Sequence, residues 1–318
     1  MGALSIPSVD LTSVQQRTLD ELIQRGKGVE FSPQLADRLL ERIDGELEAL
    51  DLPEDLWLFK SRLNKLAQCE GMLQADLAGE EEPFELSPEL AAGNLVHKAI
   101  ELDVASRDEL DTNTLVARAA GKLEDTQFGD LWRELDPLTQ DELLMEGVKA
   151  LELFRGTFPP LRDLRRELTP VTEAKMRAEL AGGAVMLSGR VDLMLGAPDR
   201  DHPHAATRLL IDLKSRAVRP EHAEDMRLYA LIHTLRFGVP PYRVASLFLE
   251  TCHAQPEDVT EEVLDRAADR VMAAARAAAE LSGGKEPELS PGPWCRWCPR
   301  ALSCPESLAT TAGSAHPL

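Results

Sequence analysis

Three short stretches of this chain set acids and bases at spacings that could do chemistry. In Leu187-Ser188-Gly189-Arg190-Val191-Asp192-Leu193-Met194-Leu195 an aspartate interrupts an apolar run, and in Leu209-Leu210-Ile211-Asp212-Leu213-Lys214 a second aspartate is followed two positions later by a lysine. If both are β-strands, alternation puts Ser188, Arg190 and Asp192 on one face and Val191, Leu193 and Leu195 on the other. It likewise pairs Asp212 with Lys214 opposite Leu209, Ile211 and Leu213. Neighbouring strands lie about 4.8 Å apart, so Asp192 and Asp212 could share one divalent cation while Lys214 approaches a phosphate or its attacking water. Phosphodiester hydrolysis calls for such a set. An isolated Asp-x-Lys is more often an ion-pair ladder on an exposed sheet face, so the reading depends on its company. The third stretch, Gly93-Asn94-Leu95-Val96-His97-Lys98-Ala99-Ile100-Glu101, places His97 and Glu101 four apart on one helix face, with Val96 and Ile100 free to pack inward. Taken singly, such a histidine is usually a satisfied core or surface residue.

A fourth feature is the tail Trp294-Cys295-Arg296-Trp297-Cys298-Pro299-Arg300-Ala301-Leu302-Ser303-Cys304-Pro305, whose cysteines are separated by two residues and then five. The chain has five cysteines, an odd number without a secretion signal, so metal ligation explains them better than a disulfide framework. Three thiolates leave one ligand to find. Structural zinc and an iron-sulfur cluster both accept four cysteines. Cys252, at the end of an expected strand, reads as a small buried hydrophobe.

The elements that must position these groups follow from periodicity. Leu19, Leu22, Leu35, Leu39, Leu40, Ile43 and Leu47 recur at helical spacing among charges, with Pro33 and Pro53 breaking the stretch into short helices. A turn is expected around Glu80-Glu81-Glu82-Pro83. Ser87-Pro88-Glu89 then caps a helix expected to run through Asp103, and helical text continues to about Phe154. β-type segments follow near 168–180, 184–195, 207–214 and 242–250, with a helix from Pro220 to Phe237 stopped by Gly238 and Pro240. An Ala-rich helix is expected from about 257 to 281, ahead of a Gly- and Pro-rich loop and the cysteine tail. There is no internal repeat. Three regions result: an N-terminal helical region over 1–85, a core over 86–286 and a cysteine-rich tail over 287–318.

Gly93-x-x-x-His97-x-x-x-Glu101, Gly189-Arg190-Val191-Asp192 and Asp212-Leu213-Lys214, in that order, resemble the RecB-like branch of the PD-(D/E)XK nucleases, over roughly residues 57–306. This branch includes the AddB and RecB nuclease domains and the CRISPR-associated RecB-like exonucleases. The resemblance implies an α/β fold with a restriction-endonuclease-like αβββαβ core and a mixed central sheet. It implies that His97, Asp192, Asp212 and the main-chain carbonyl of Leu213 hold Mg²⁺ or Mn²⁺, that Lys214 works on the water and the reacting phosphate, and that Glu101 orients the motif helix. Tyr229, Arg190 and Arg227 are then expected to contact substrate. Where the family commonly has Gln-x-x-x-Tyr, this chain has Asp225-Met226-Arg227-Leu228-Tyr229, so an amide is replaced by a charge that repels phosphate unless it pairs with Arg227 or a metal. The resemblance also makes Cys69 the fourth ligand beside Cys295, Cys298 and Cys304 and favours a [4Fe–4S] cluster over zinc, with the cluster pinning the two ends of the chain together.

Charge narrows the function classes. A formal net charge of -20 over 318 residues argues against a protein that coats nucleic acid nonspecifically, because phosphate binding rests on Lys and Arg, and leaves room for a local DNA channel. The charge is uneven: residues 1–90 hold 19 acids against 8 bases, whereas 205–243 hold seven bases (Arg208, Lys214, Arg216, Arg219, Arg227, Arg236, Arg243) against four acids. Arg162-Asp163-Leu164-Arg165-Arg166 either lines the same groove or forms a solvated face. No apolar run approaches the roughly 20 residues that span a bilayer, and a cytoplasmic location is expected. The expected activity is metal-dependent cleavage of DNA, single-stranded or from an end, in repair, recombination or mobile-element defence, with a helicase or other repair protein as partner. The rivals are a noncatalytic nucleic-acid-binding or partner-binding subunit on the same fold, and a zinc-stapled scaffold.

Overall fold

Among the described residues six strands form the main sheet, two of them buried nearly throughout, and helices with apolar faces of period 3.6 pack on both sides of it. A computed structural model describes residues 9–80, 86–214 and 218–307; most of the turn expected at 80–83, and Arg216, lie outside them. In chain order the main elements are α1 (Leu35–Leu47), β1 (Leu56–Leu58), α2 (Lys60–Gln68), α3 (Glu70–Leu77), α4 (Pro88–Ala105), α5 (Thr112–Lys122), α6 (Gln127–Glu134) and α7 (Pro137–Thr157). There follow β2 (Val171–Leu180), β3 (Val185–Leu195), β4 (Leu209–Lys214), α8 (Pro220–Phe237), β5 (Arg243–Phe248), β6 (His253–Asp258) and α9 (Glu261–Ser282). Counted from α4, the order contains the restriction-endonuclease-like αβββαβ core. The helix starts are set by caps: Ser87 accepts the Leu90 amide with Pro88 at the first helical position, and Thr260 accepts the Val263 amide.

The sheet is mixed. Its path runs β1-β3-β4-β5-β6, with β2 also paired to β3. β1 is parallel to β3 and β5 to β4, while the β2–β3, β3–β4 and β5–β6 pairs are antiparallel. One core joins α1, α8 and α9 to the sheet through Ile43, Leu47, Met226, Leu231, Leu264 and Val271. The other joins α4, α5 and α7 to it through Leu95, Ile100, Val116, Leu151, Leu193 and Leu247. Alanines at 267, 268, 274, 275 and 278 keep α9 slim, so that it packs closely on α8 and α1.

Three expectations change. The stretch before residue 80 is not wholly helical, because Leu56-Trp57-Leu58 adds a strand beside Val185–Leu187; a three-residue strand is too short for its alternation to be read. The helix expected from about 257 starts at Glu261, because Gln255-Pro256-Glu257-Asp258 pair with β5 as a polar edge strand, the position where a sheet tolerates proline. Val191 also does not share a core with Leu193 and Leu195. It joins Leu187 and Leu210, whereas they join Leu209 and Ile211. The sides change at Asp192, opposite Glu173, which lies between the pairs Thr172↔Leu193 and Ala174↔Val191 and holds φ at 52°. A left-handed residue breaks the regular pleat there.

Candidate active site

The site lies where β4 parts from β3. The two strands pair only through Leu193↔Ile211, Met194↔Leu210 and Leu195↔Leu209. One step further the same register sets Asp192 opposite Asp212, and there a side chain replaces the ladder: the Leu213 amide donates to Asp192 Oδ2 at 2.6 Å. β1 occupies the same edge of β3 only as far as Leu187. Between them the edge is open as a cleft of about 510 Å³, lined by Lys60, His97, Arg190, Asp192, Asp212, Lys214 and Tyr229 among others.

His97, Glu173 and Asp192 bring one ligand atom each within 4.8 Å of one another. His97 Nδ1 stands 3.4 Å from Asp192 Oδ1. Burial works against the charged imidazolium, but the hydrogen bond and charge of Asp192 outweigh it and raise the His97 pKa. Burial also pushes the Asp192 carboxyl up, and His97, the Leu213 amide and Lys60 together hold it below its ordinary value. Glu173 is raised, first by burial and then by the Asp192 charge, against the pull of Arg190, whose Nε lies 3.0 Å from its carboxylate. Asp212 is 2% exposed. The Lys214 ammonium stands beside its Oδ2, which accepts no hydrogen bond of proper geometry, and Lys60 Nζ lies 3.9 Å from Oδ1. The Asp192, Asp212 and Glu173 carboxylates with the His97 imidazole are oxygen and nitrogen donors that fit a divalent ion.

Tyr229 closes the cleft from α8. Its ring lies against Gly189, where an added Cβ would meet it at 2.7 Å, which explains a glycine inside the strand. Lys60 Nζ sits 5.7 Å from the ring centroid. Arg227 does not line the cleft: its Nη1 and Nη2 bind Glu224 and Glu257 at 2.5 and 2.7 Å. Asp225 therefore does not pair with Arg227. It accepts a hydrogen bond from Asn64 at 3.0 Å, and burial raises its pKa against the opposing influence of Lys60. Glu101 pairs with Lys98. Arg162 lines a different pocket and pairs with Asp163 and Glu109, so that basic run does not reach the cleft. The sequence pattern does not reveal Glu173 and Lys60. Glu173 alternates with Lys175 and Arg177 as an ordinary solvated strand face would, and Lys60 follows a strand that could not be read.

The cysteines form a second centre. Cys69, Cys295, Cys298 and Cys304 line one cavity of about 220 Å³ between the start of α3 and the tail. The Ser290 and Gly292 amides donate to the Cys69 and Cys295 sulfurs, each at 3.4 Å. Burial raises the Cys298 thiol pKa, and the other three cysteines add to the shift. Cys252 is buried and stands in the second core.

A mixed sheet whose parting strands present two aspartates and a lysine, with a histidine from a packed helix, has the arrangement of the PD-(D/E)XK fold. The sequence profile of the PD-(D/E)XK nuclease superfamily matches residues 60–305, and the chain belongs to this superfamily, whose nucleases use divalent metals. No curated protein matches the chain. Among solved structures, one titled "Crystal structure of SSO0001" aligns with 86% of this chain and 97% of its own at 10% identity and a TM-score of 0.34, a likeness too distant to argue from. No helix among the described residues is long and apolar enough to cross a membrane.

Proposed function

We propose that the protein is a RecB-like, metal-dependent deoxyribonuclease that cuts single strands or works from a DNA end, in repair, recombination or mobile-element defence. The observation that carries this is the convergence of His97, Asp192, Asp212 and Lys214 at the point where β3 and β4 part. His97, Asp192, Asp212 and the Leu213 carbonyl would hold Mg²⁺ or Mn²⁺, with Glu173 as a further donor. When bound, such an ion supplies Lewis-acid polarisation and a more acidic water. Lys214 stands beside Asp212, where its ammonium offsets charge growing on the pentavalent phosphate. Arg190, at the rim, and Lys60 face the flanking phosphates, and Tyr229 fixes the wall against which the strand lies.

The four cysteines, in this reading, hold a [4Fe–4S] cluster. Four thiolates around zinc stand about 3.8 Å apart, given a Zn–S bond of about 2.3 Å. Among the described residues, no three cysteine sulfurs lie within 4.8 Å of one another. That spread and the 220 Å³ cavity suit the larger group.

End-labelled single- and double-stranded DNA incubated with Mg²⁺, Mn²⁺ or EDTA tests the activity. Asp192→Ala, Asp212→Ala and Lys214→Ala should each lower cleavage by at least about a hundredfold with the melting temperature preserved. Wild-type cleavage in EDTA, or a normal rate for Lys214→Ala, would overturn the reading, and binding without cleavage would favour a noncatalytic subunit.

A further inference from the structure

The helix α2 links the cleft to a second groove. Lys60, in its first turn, lines the cleft, whereas Asn64 and Gln68, one and two turns further on, line an open groove of about 840 Å³. At about 1.5 Å rise per residue, eight residues of helix separate the two by about 12 Å, a span of a few nucleotides. The far walls carry Arg219 at the start of α8, Arg270 of α9, and Arg296 and Trp297 of the tail. Trp297 is 60% exposed, and the Arg296 guanidinium lies 3.8 Å over its ring, which holds the indole plane in place. Arg270 donates through Nη2 to Asn64 Oδ1, while its Nη1 is buried with no hydrogen-bond partner. Two acids also line the groove, but Glu224 is engaged by Arg227 from outside it and Glu221 stands 3.8 Å from Arg219. In a chain of net charge -20, this wall is locally basic and carries an aromatic face.

We propose that this groove holds the single-stranded DNA flanking the scissile phosphate, with Trp297 stacking on an unpaired base, Arg219 and Arg296 facing its phosphates, and Arg270 adding positive charge from behind the wall. The proposal rests on the nuclease reading of the cleft and adds the substrate form. Duplex bases have both faces covered by their neighbours, and only an unstacked strand offers a free face to an indole. Binding that combines stacking with phosphate contacts is tolerant of sequence and sensitive to salt.

The test is fluorescence anisotropy in EDTA at fixed salt, using a long oligo-dT, an oligo-dT too short to reach from the cleft to the groove, an abasic oligomer and a duplex. Trp297→Ala should weaken the long oligo-dT about tenfold, the scale of one lost base stack, and leave the short, abasic and duplex ligands unchanged. Trp297→Phe should recover most of the loss. Arg219→Gln and Arg296→Gln should weaken the long oligo-dT and the abasic oligomer alike and reduce the salt dependence. In cleavage assays Trp297→Ala should raise KM on long strands at constant kcat. Wild-type affinity of Trp297→Ala for long oligo-dT, or an equal loss on the abasic or duplex ligand, would overturn the proposal. Because Trp297 adjoins Cys298, iron per chain is measured in each variant. If Trp297→Ala loses iron, the two arginine variants decide, and an unchanged salt dependence in both overturns the proposal. Failure of the nuclease reading shows separately, as wild-type protein that binds strands but never cuts them with Mg²⁺.

Discussion

Lys60 and Lys214 approach Asp212 from different elements, and in the proposed reaction their surroundings suit them to different work. Lys214 stands beside the buried Oδ2 with its side chain only 15% exposed, whereas Lys60 keeps 40% of its side chain in solvent and lies 3.9 Å from Oδ1. A buried ammonium next to the reacting centre acts on the transition state, while an exposed one near the rim acts on ground state and transition state alike. Lys60→Gln is therefore expected to raise KM for DNA about three- to tenfold with kcat nearly unchanged, and Lys214→Ala to act on kcat. Steady-state kinetics on one labelled strand separates them, and a kcat loss for Lys60→Gln as deep as that for Lys214→Ala would put both lysines in the chemistry. Asp192, Asp212 and Lys214 stand out in the sequence as charges at strand spacing inside apolar runs, whereas His97 stands out only through the motif resemblance that sets it beside them. Lys60 and Glu173 do not stand out, because what makes them part of the site is a pairing between distant segments: β1 beside β3, and a left-handed residue opposite Asp192. Asp225 was legible as a departure, but its partner Asn64 is 161 positions away in sequence.

At the level of elements, strands β2 to β5 and helices α4, α8 and α9 follow from periodicity and caps, whereas the edge strands β1 and β6 and the face of Val191 do not. The polar edge strand β6 lacks the alternation of a half-buried strand, since its inward register is set by pairing to β5 and not by burial. The helix α8 carries a further device invisible to pattern. His233 is 2% exposed, with Nε2 at 3.2 Å from Arg208 Nη1 and Nδ1 at 3.0 Å from the Val239 carbonyl. A guanidinium cannot accept, so Nε2 must accept and the proton must lie on Nδ1. Burial, and then the Arg208 charge, push this imidazole from its ordinary 6.5 down to about 3. Below pH 6.5 the unfolded chain takes up a proton that the folded chain refuses. Stability present above that pH is thus lost as pH falls toward 3, by at most about 1.4 kcal/mol per pH unit. His233→Gln, whose amide can both accept from Arg208 and donate to Val239, should show a shallower fall in Tm between pH 7 and 4.5 than wild type. Parallel curves in thermal melts would remove His233 from the acid limb.

For the whole molecule the question is what the cysteine centre holds together. Cys69 and Cys295 are 226 positions apart (295 minus 69), and from the sequence alone the cluster reads as the device pinning the two ends. The structure describes other ties between them. Leu35, Leu39, Ile43 and Leu47 of α1 and Leu56 and Leu58 of β1 lie in the same core as α9. The turn carrying Cys69 is braced by the nearly buried Asp76, which pairs with Arg62 and Lys65 across α2 and α3, and Leu73 of α3 packs on Ala277 and Leu281. With these contacts made, what the proposed cluster would close is counted from the end of α9: Ser282 to Cys295 is 13 positions (295 minus 282). Closure entropy grows only as the logarithm of loop length, and by the chain-entropy argument applied to disulfides a loop of this size is worth about 3 kcal/mol. That gain falls on the tail. Without a cluster the tail keeps polar ties near the surface, namely Arg300 with Glu80 at 2.7 Å and with Gln74 at 2.5 Å, and Lys285 and the Glu288 amide on Glu70 at 3.1 and 2.9 Å, each of modest worth. Cys69→Ser, Cys295→Ser, Cys298→Ser and Cys304→Ser are therefore expected to lose the brown colour, the iron and the acid-labile sulfide. Limited proteolysis should then cut beyond about residue 285, while the core still melts cooperatively. Cys252→Ser should retain all of these properties. Iron and sulfide per chain, with the masses of proteolytic fragments, decide the matter: zinc in place of iron would remove the cluster, a colourless Cys252→Ser would change the ligand set, and collapse of the core in the four variants would make the cluster a staple of the whole fold after all.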